Sequence, residues 1–243
     1  MKTVTVTTDP ILPALLRRRA VKSFAPVEIP AALREQILDA ARHAPSSFNM
    51  QPYRFYWVES PGQRQAVAQL CLSQTPAVTA SALIVAVADI GSLRSTAQLQ
   101  VAWMRESGFP ERKIRHYART ARIGRIIFAS GPLHLFAAFK WVLFRALNSV
   151  KSTGMPPLTR QDFFKWAGKG TALACQNLMI AAETLGLNTC PMEGFNGPRL
   201  MPHLGLSRKH HEIVMVIAIG KRSPDYMDPP QWRRPLAATV TVL

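Results

Sequence analysis

Two uninterrupted apolar runs, Leu83 to Ala88 (LIVAVA) and Ile213 to Ile219 (IVMVIAI), are the clearest pattern along this chain. Each has strand length and no polar face, so each is expected to be a central strand covered on both sides. Arg54 to Glu59 (RFYWVE) is rich in strand-forming aromatics and reads as a further strand. Leu33, Ile37, Leu38 and Ala41 fall on one face of a helix; Pro30 suits its first turn and Pro45 stops it. Ser46 to Gln51 is then the loop that leaves this helix. Thr171 to Leu185 (TALACQNLMIAAETL) reads as a helix of small residues and leucines, ended by Gly186, because glycine accepts the left-handed backbone of a helix stop. The closing Ala238 to Leu243 (ATVTVL) alternates and is expected to be a short edge strand. No GxGxxG and no internal repeat occurs.

The middle third has another pattern. Gln98 to Ser107 and Lys113 to Arg122 read as basic helices, whereas Leu133 to Leu147 (LHLFAAFKWVLFRAL) is mostly apolar. At helical spacing His134, Lys140, Arg145, Asn148 and Lys151 gather on one side of that last helix and leave a wide apolar face. Such a helix is too short and too charged to span a bilayer, but it suits a membrane surface.

A chain of 243 residues can bury a substantial core, and no long linker divides it. The expectation is one domain over 1–243, with an elaborated basic segment at about 91–162. The formal net charge is +16, and Arg94 to Lys169 holds 14 basic residues against 3 acidic ones. A field of that sign attracts phosphorylated cofactors, anionic headgroups or nucleic acid without choosing among them. Nucleic acid is not expected, because no helix-turn-helix, RRM or finger pattern accompanies the charge. Cys71, Cys175 and Cys190 are widely spaced, and adjacent His210 and His211 would point to opposite faces of a strand, so no metal site is expected. The short apolar run before Arg17 is broken by Pro13 and is not read as a secretory signal, which makes the cytoplasm the expected compartment.

The candidate chemistry lies in short segments. Arg17-Arg18-Arg19-Ala20-Val21-Lys22 offers guanidiniums that match a phosphate in bidentate fashion, with an ammonium able to reach another part of the same ligand. A solvated basic turn is the plain alternative. Pro45-Ser46-Ser47-Phe48-Asn49-Met50-Gln51-Pro52 sets hydroxyls and amides between two prolines, suited to the hydrogen-bonding edges of a flat heterocycle; an ordinary helix-exit turn is the alternative. Cys190-Pro191-Met192-Glu193-Gly194 holds its acid beside a glycine that lets backbone N–H groups approach a planar ring. Arg233 and Arg234 could return to a phosphate from the far end of the chain, or form a basic tail. Phosphate at one end and heterocycle at the other describe flavin mononucleotide.

Together these segments resemble the nitroreductase family of FMN-dependent oxidoreductases. The matching residues are RRRAVKSF at 17–24, APSSFNMQPYRF at 44–55, GTALACQNLMIAAETLGL at 170–187, CPMEGF at 190–195 and IVMVIAIGKR at 213–222, so the resemblance covers roughly 11–90 and 163–236. It implies a three-layer α+β fold, with a mainly antiparallel central sheet flanked by helices, in an intertwined homodimer with FMN at the subunit interface. By this likeness Arg18 and Arg19 would hold the phosphate and ribityl end, with Ala20 in the place of a usual serine. Lys22 would sit near N1 and O2 of the ring and stabilise the charge that reduction places there. Pro45, Ser46, Ser47 and Asn49 would come from the partner subunit. Pro191, Met192, Glu193 and Gly194 would border the ring, the Glu193-Gly194 backbone facing N5. Arg233, with Arg234 beside it, would complete the phosphate site. Ser73 and Gln74 are the nearest candidates for a further polar contact.

The resemblance further implies hydride transfer from NADPH or NADH through the flavin to a nitroaromatic, quinone or similar small acceptor in ping-pong fashion, with the flavin carrying the chemistry and no catalytic side-chain triad. Alternatives are a specialised flavin-dependent oxidation and a flavin-binding protein without turnover. For the middle segment the expectations are a lid over the substrate channel, peripheral membrane contact through 133–151, or simple packing of its apolar face.

Overall fold

The computed structural model describes residues 11–127, 135–150 and 159–243. In chain order the elements are α1 (Ile11–Arg17), β1 (Phe24–Ala25), α2 (Ala31–Arg42), β2 (Tyr53–Val58), α3 (Pro61–Leu70), α4 (Thr75–Thr79) and β3 (Ala82–Asp89). After these come α5 (Leu93–Glu106), α6 (Glu111–Ile127), α7 (Leu135–Val150), α8 (Arg160–Thr184), β4 (Asn188–Met192), α9 (Gly197–His203) and β5 (His211–Arg222).

The two apolar runs become neighbours. β3 pairs antiparallel with β5 along its whole length and with β2 on its other edge, while β4 and β1 pair antiparallel with the later part of β5. All eight residues of β3 are buried, which is why this run needs no polar face. Alternation sends Leu83, Val85 and Val87 to one side, where they meet Val67 and Ala68 of α3, Ala77 of α4 and Leu200 of α9. Ala82, Ile84 and Ala86 go to the other, against Ile37 and Ala41 of α2 and Cys175, Leu178 and Ala182 of α8. The result is an α+β fold of three layers, with the antiparallel sheet between two helical ones. A register shift between Ala86 and Val87 changes the phase of β5, so Ile213 and Val216 share the first layer despite their odd spacing, while Met215 and Ile217 face the second.

α8 is longer than the expected Thr171–Leu185. A capping box starts it: Thr159 Oγ1 accepts from Asp162 N at 3.1 Å, and Asp162 Oδ2 accepts from Thr159 N at 3.0 Å. Its buried stripe runs from Phe163 and Phe164 through Ala167, Gly170, Ala174 and Leu178 to Ala182. Gly186, at φ +75°, ends the helix: its N–H reaches Glu183 O at 3.2 Å and Leu187 N–H reaches Ala182 O at 2.8 Å.

The expected edge strand at Ala238–Leu243 is not formed. A 3-10 turn spans Leu236–Ala238 and this tail joins no sheet among the described residues: alternation supplies an apolar face but does not supply an edge to pair with. The basic helices of the middle third are present as α5 and α6, which pack on each other. α7 corresponds to the expected apolar helix; His134 and Lys151 lie outside the described residues.

Candidate functional site

The Arg17–Lys22 segment is threaded along the outer edge of β4. Ala20 bridges Thr189 in parallel, Val21 N donates to Thr189 O at 3.1 Å, and the Val21 side chain is fully buried. This pinning brings Arg18, Arg19, Ala20 and Lys22 beside the strand that ends in Pro191 and Met192. Arg17 is engaged elsewhere, 3.7 Å from Glu183 of α8.

Donors at this edge exceed acceptors. Among the described residues Arg18 Nη1 is buried without a hydrogen-bond partner, and so is Thr189 Oγ1. Lys22 Nζ, exposed, lies 3.3 Å from a thiol, Cys190 Sγ. Buried polar groups are nearly always paired, and leaving one unpaired costs about 1–3 kcal/mol. The Arg18 guanidinium, its Nη1 buried, with the exposed Lys22 ammonium four residues on, suits an anion along this edge.

After β4 the chain turns through Glu193 and Gly194, both exposed, and a side chain from α4's entry holds that turn. Gln74 Nε2 donates to Gly194 O at 2.7 Å and to Cys71 O at 2.9 Å. Gln74 is therefore a positioning group for the loop. A Cβ on Gly194 would come within 3.3 Å of Gln74 Nε2, a tight approach that explains why glycine fits there. Asn196 N also donates to Leu70 O at 2.7 Å, and the Asn196 side chain caps α9. The preceding turn is left-handed at Leu72 and Ser73, with φ of 60° and 51°.

The Pro45–Gln51 loop lies at the opposite end of the sheet. Asp89 N donates to Pro52 O at 3.0 Å, which ties the loop to the end of β3 that pairs with His211, whereas Thr189 pairs with Ile219. Eight steps of β5 separate those positions, roughly 26 Å of strand. Within one chain, then, Ser46, Ser47 and Asn49 do not meet Arg18 and Lys22. The loop is tightly wound: Phe48, Asn49 and Gln51 all have positive φ, between 44° and 55°. Ser46 Oγ accepts from Gln51 N at 2.9 Å, and Asn49 Oδ1 accepts from Gln51 Nε2 at 3.1 Å. Left-handed non-glycine residues cost energy and gather where a backbone shape is needed. Tyr117 of α6 stands against this loop, with its hydroxyl 3.5 Å from Phe48 O and from Met50 Sδ and hydrogen-bonded to Gln100 of α5.

Arg233 and Arg234 lie on the exposed tail and bond within it, to Trp232 O at 2.8 Å and Ala238 O at 3.0 Å. Among the described residues they do not join the Arg18 edge. Thr189 is a member of that edge which the sequence pattern did not single out; its only signal was a place just before the Cys190–Gly194 segment. His211 turns toward the buried Asp89, its Nε2 3.6 Å from Oδ1, and no cluster of three His, Cys, Asp or Glu among the described residues is arranged to hold a metal. Burial pushes the Cys71 thiol up to about 11 and that of Cys175 to about 12, so both stay protonated and unreactive at neutral pH.

Known proteins share this architecture. Residues 15–221 match the model of the nitroreductase family. The protein DrgA of Synechocystis is 30% identical over 213 residues, covering 87% of this chain and 84% of the relative. A Thermus thermophilus protein named NADH dehydrogenase is 25% identical, with 93% of each chain covered. A nitroreductase-fold protein of Exiguobacterium sibiricum, solved in complex with FMN, superposes with a TM-score of 0.72 at 21% identity, over 98% of this chain and 99% of that one. With a match that spans both the Arg18 edge and the Pro191–Gly194 loop, the chain belongs to the nitroreductase family.

Proposed function

We propose that this protein is an FMN-dependent oxidoreductase that takes a hydride from NADPH or NADH and delivers it to a small electron-poor acceptor, such as a nitroaromatic or a quinone, with one open site serving both in turn. The observation that carries this reading is the buried Arg18 Nη1, which has no hydrogen-bond partner among the described residues and which an anionic cofactor would satisfy. FMN, when bound, supplies the hydride chemistry, and the protein supplies position and charge.

Arg18 and Arg19 would bind the phosphate and ribityl end. Lys22 would keep a positive charge at the ring edge where reduction places negative charge. Gln74, through Gly194 O, keeps the Pro191–Gly194 loop in a fixed shape for the ring to lie against. Ser46, Ser47 and Asn49 can belong to the same site only from a second copy, which supports a homodimer. The tail supports it too: Met227, Trp232, Leu236 and Val242 are largely exposed, as if laid out for another surface. Arg233 would then reach the phosphate of the site it borders.

Titration with FMN followed by visible absorbance tests the cofactor, and NADPH or NADH oxidation with menadione tests turnover, with parallel double-reciprocal lines expected. Lys22→Met should lower the bound flavin's potential by about 20 mV, from roughly 1 kcal/mol of lost charge stabilisation on a two-electron couple. Protein that stays colourless and takes up no FMN overturns the reading.

A further inference from the structure

The middle segment carries two features that the site does not use. In α6, Arg112, Arg115, Arg119 and Arg122 are all exposed and fall within an arc of about 80° at helical spacing. None of the four forms an ion pair among the described residues. The opposite side of the helix faces inward through the buried Ile114 and half-buried Tyr117. The second feature is apolar. Leu99 is 71% exposed and Trp103, one turn on, 53%, with Phe109 against its ring at 5.4 Å between centroids. On α7, Leu143 and Leu147 are exposed on the face away from Arg145.

We propose that the basic face of α6 and the exposed apolar residues of α5 and α7 dock on an anionic lipid bilayer, the arginines of α6 meeting headgroups while the exposed leucines and tryptophan enter the interfacial zone. Charge complementarity selects this occupant. A second copy packed face to face here would set arginines against arginines, and repulsion opposes that contact. A nucleic acid would engage the arginines but leave Leu99, Trp103 and the α7 face in water. An anionic bilayer accepts both, since binding of this kind sums buried apolar area and attraction to acidic headgroups, and tryptophan favours the interface. No helix among the described residues is long and apolar enough to cross a membrane, so the contact lies on the surface. Such docking would give the proposed flavin site access to acceptors dissolved in lipid, but the docking itself does not depend on that reading.

The test is flotation of the full-length protein with vesicles of phosphatidylglycerol and phosphatidylcholine, against phosphatidylcholine alone, at low and high salt. The protein should float with the acidic vesicles at low salt only, whether FMN-loaded or FMN-free. Replacing Arg115, Arg119 and Arg122 by Gln should lower the partition coefficient about a hundredfold, about fivefold for each cation. Leu143→Glu with Leu147→Glu should lower it at least tenfold, and Leu99→Glu with Trp103→Glu likewise, with far-UV CD melts confirming that each variant is folded. No flotation with acidic vesicles at low salt overturns the proposal. Binding to duplex DNA or RNA that competes fully with vesicles, or flotation unchanged in both glutamate pairs while oligomer size falls, overturns it in favour of nucleic acid or a second copy respectively.

Discussion

β3 and α7 are both dominated by apolar residues, yet β3 buries all eight of its positions whereas α7 leaves Trp141, Val142, Leu143 and Leu147 open to solvent. The difference lies in their partners. β3 has β2 and β5 on its edges and a helical layer on each face, so its apolar side chains are enclosed and only Asp89 at its end needs polar partners. α7 comes after α5 and α6 and, among the described residues, joins neither apolar layer of the sheet. Apolar content therefore sets what a segment can bury, and neighbouring elements decide whether it does. In this protein the buried region builds the site, and the open one faces outward.

The largest test of that contrast is truncation in each region. Leu178→Ala, at a fully buried position on α8, should cost about 3–4 kcal/mol in denaturant unfolding, whereas Leu99→Ala should stay within about 0.5 kcal/mol. Equal costs would mean that α5 is as deeply supported as the sheet.

In alkali the two buried thiols report on the two inner layers, because Cys71 sits in one and Cys175 in the other. Unfolded thiols ionise near 9.0, while these hold their protons to about 11 and 12. Above pH 9 the unfolded chain sheds protons first, so stability present below that pH is lost as pH rises, on the order of 2 kcal/mol per thiol at the upper end. The variant with both cysteines changed to Ala should show a flatter decline of stability between pH 8 and 11 than the parent, whatever its starting stability.

At the edge of the core, Arg18→Met removes an unpaired buried donor. It should raise the stability of the FMN-free protein by about 1 kcal/mol while weakening FMN binding, a pairing of effects that an ordinary structural arginine would not give. Thermal melts with and without FMN read both. The smallest effect is expected where the two regions touch. Tyr117→Phe should cost about 0.5–1 kcal/mol or less and speed amide exchange in 46–51 together with 93–122, while leaving β3 and β5 unchanged. Exchange that rises only in α6 would show the two segments to be uncoupled.

The sequence pattern is legible where one force dominates. LIVAVA and IVMVIAI could only be central strands, and the stop at Gly186 came from its backbone freedom. Three turns of α8 before Thr171 escaped notice because Lys165, Gly168, Lys169 and Gly170 interrupt the apolar run, although Phe163, Phe164 and Ala167 continue its buried stripe. ATVTVL was misread because alternation describes a face and carries no information about an available edge. The candidate site divides in the same way. Arg18, Lys22 and the Pro191–Gly194 loop carry recognisable chemistry, whereas the roles of Thr189 and Gln74 depend on a bridge and a hydrogen bond between segments 169 and 120 residues apart, which no local pattern encodes.

Asp89, where the sheet hands the chain to the middle segment, has a wider consequence. Its carboxylate accepts from Gly91 N at 2.9 Å and Ser92 N at 3.1 Å while Arg54 holds it from β2 at 3.1 Å. The exit from β3 is thus fastened before any helix begins, and the chain beyond Ser92 can lengthen at only a logarithmic entropic cost. That anchorage makes this corner of the fold a port: evolution can graft, extend or exchange an appendage there without disturbing the register of the strands that carry the chemistry.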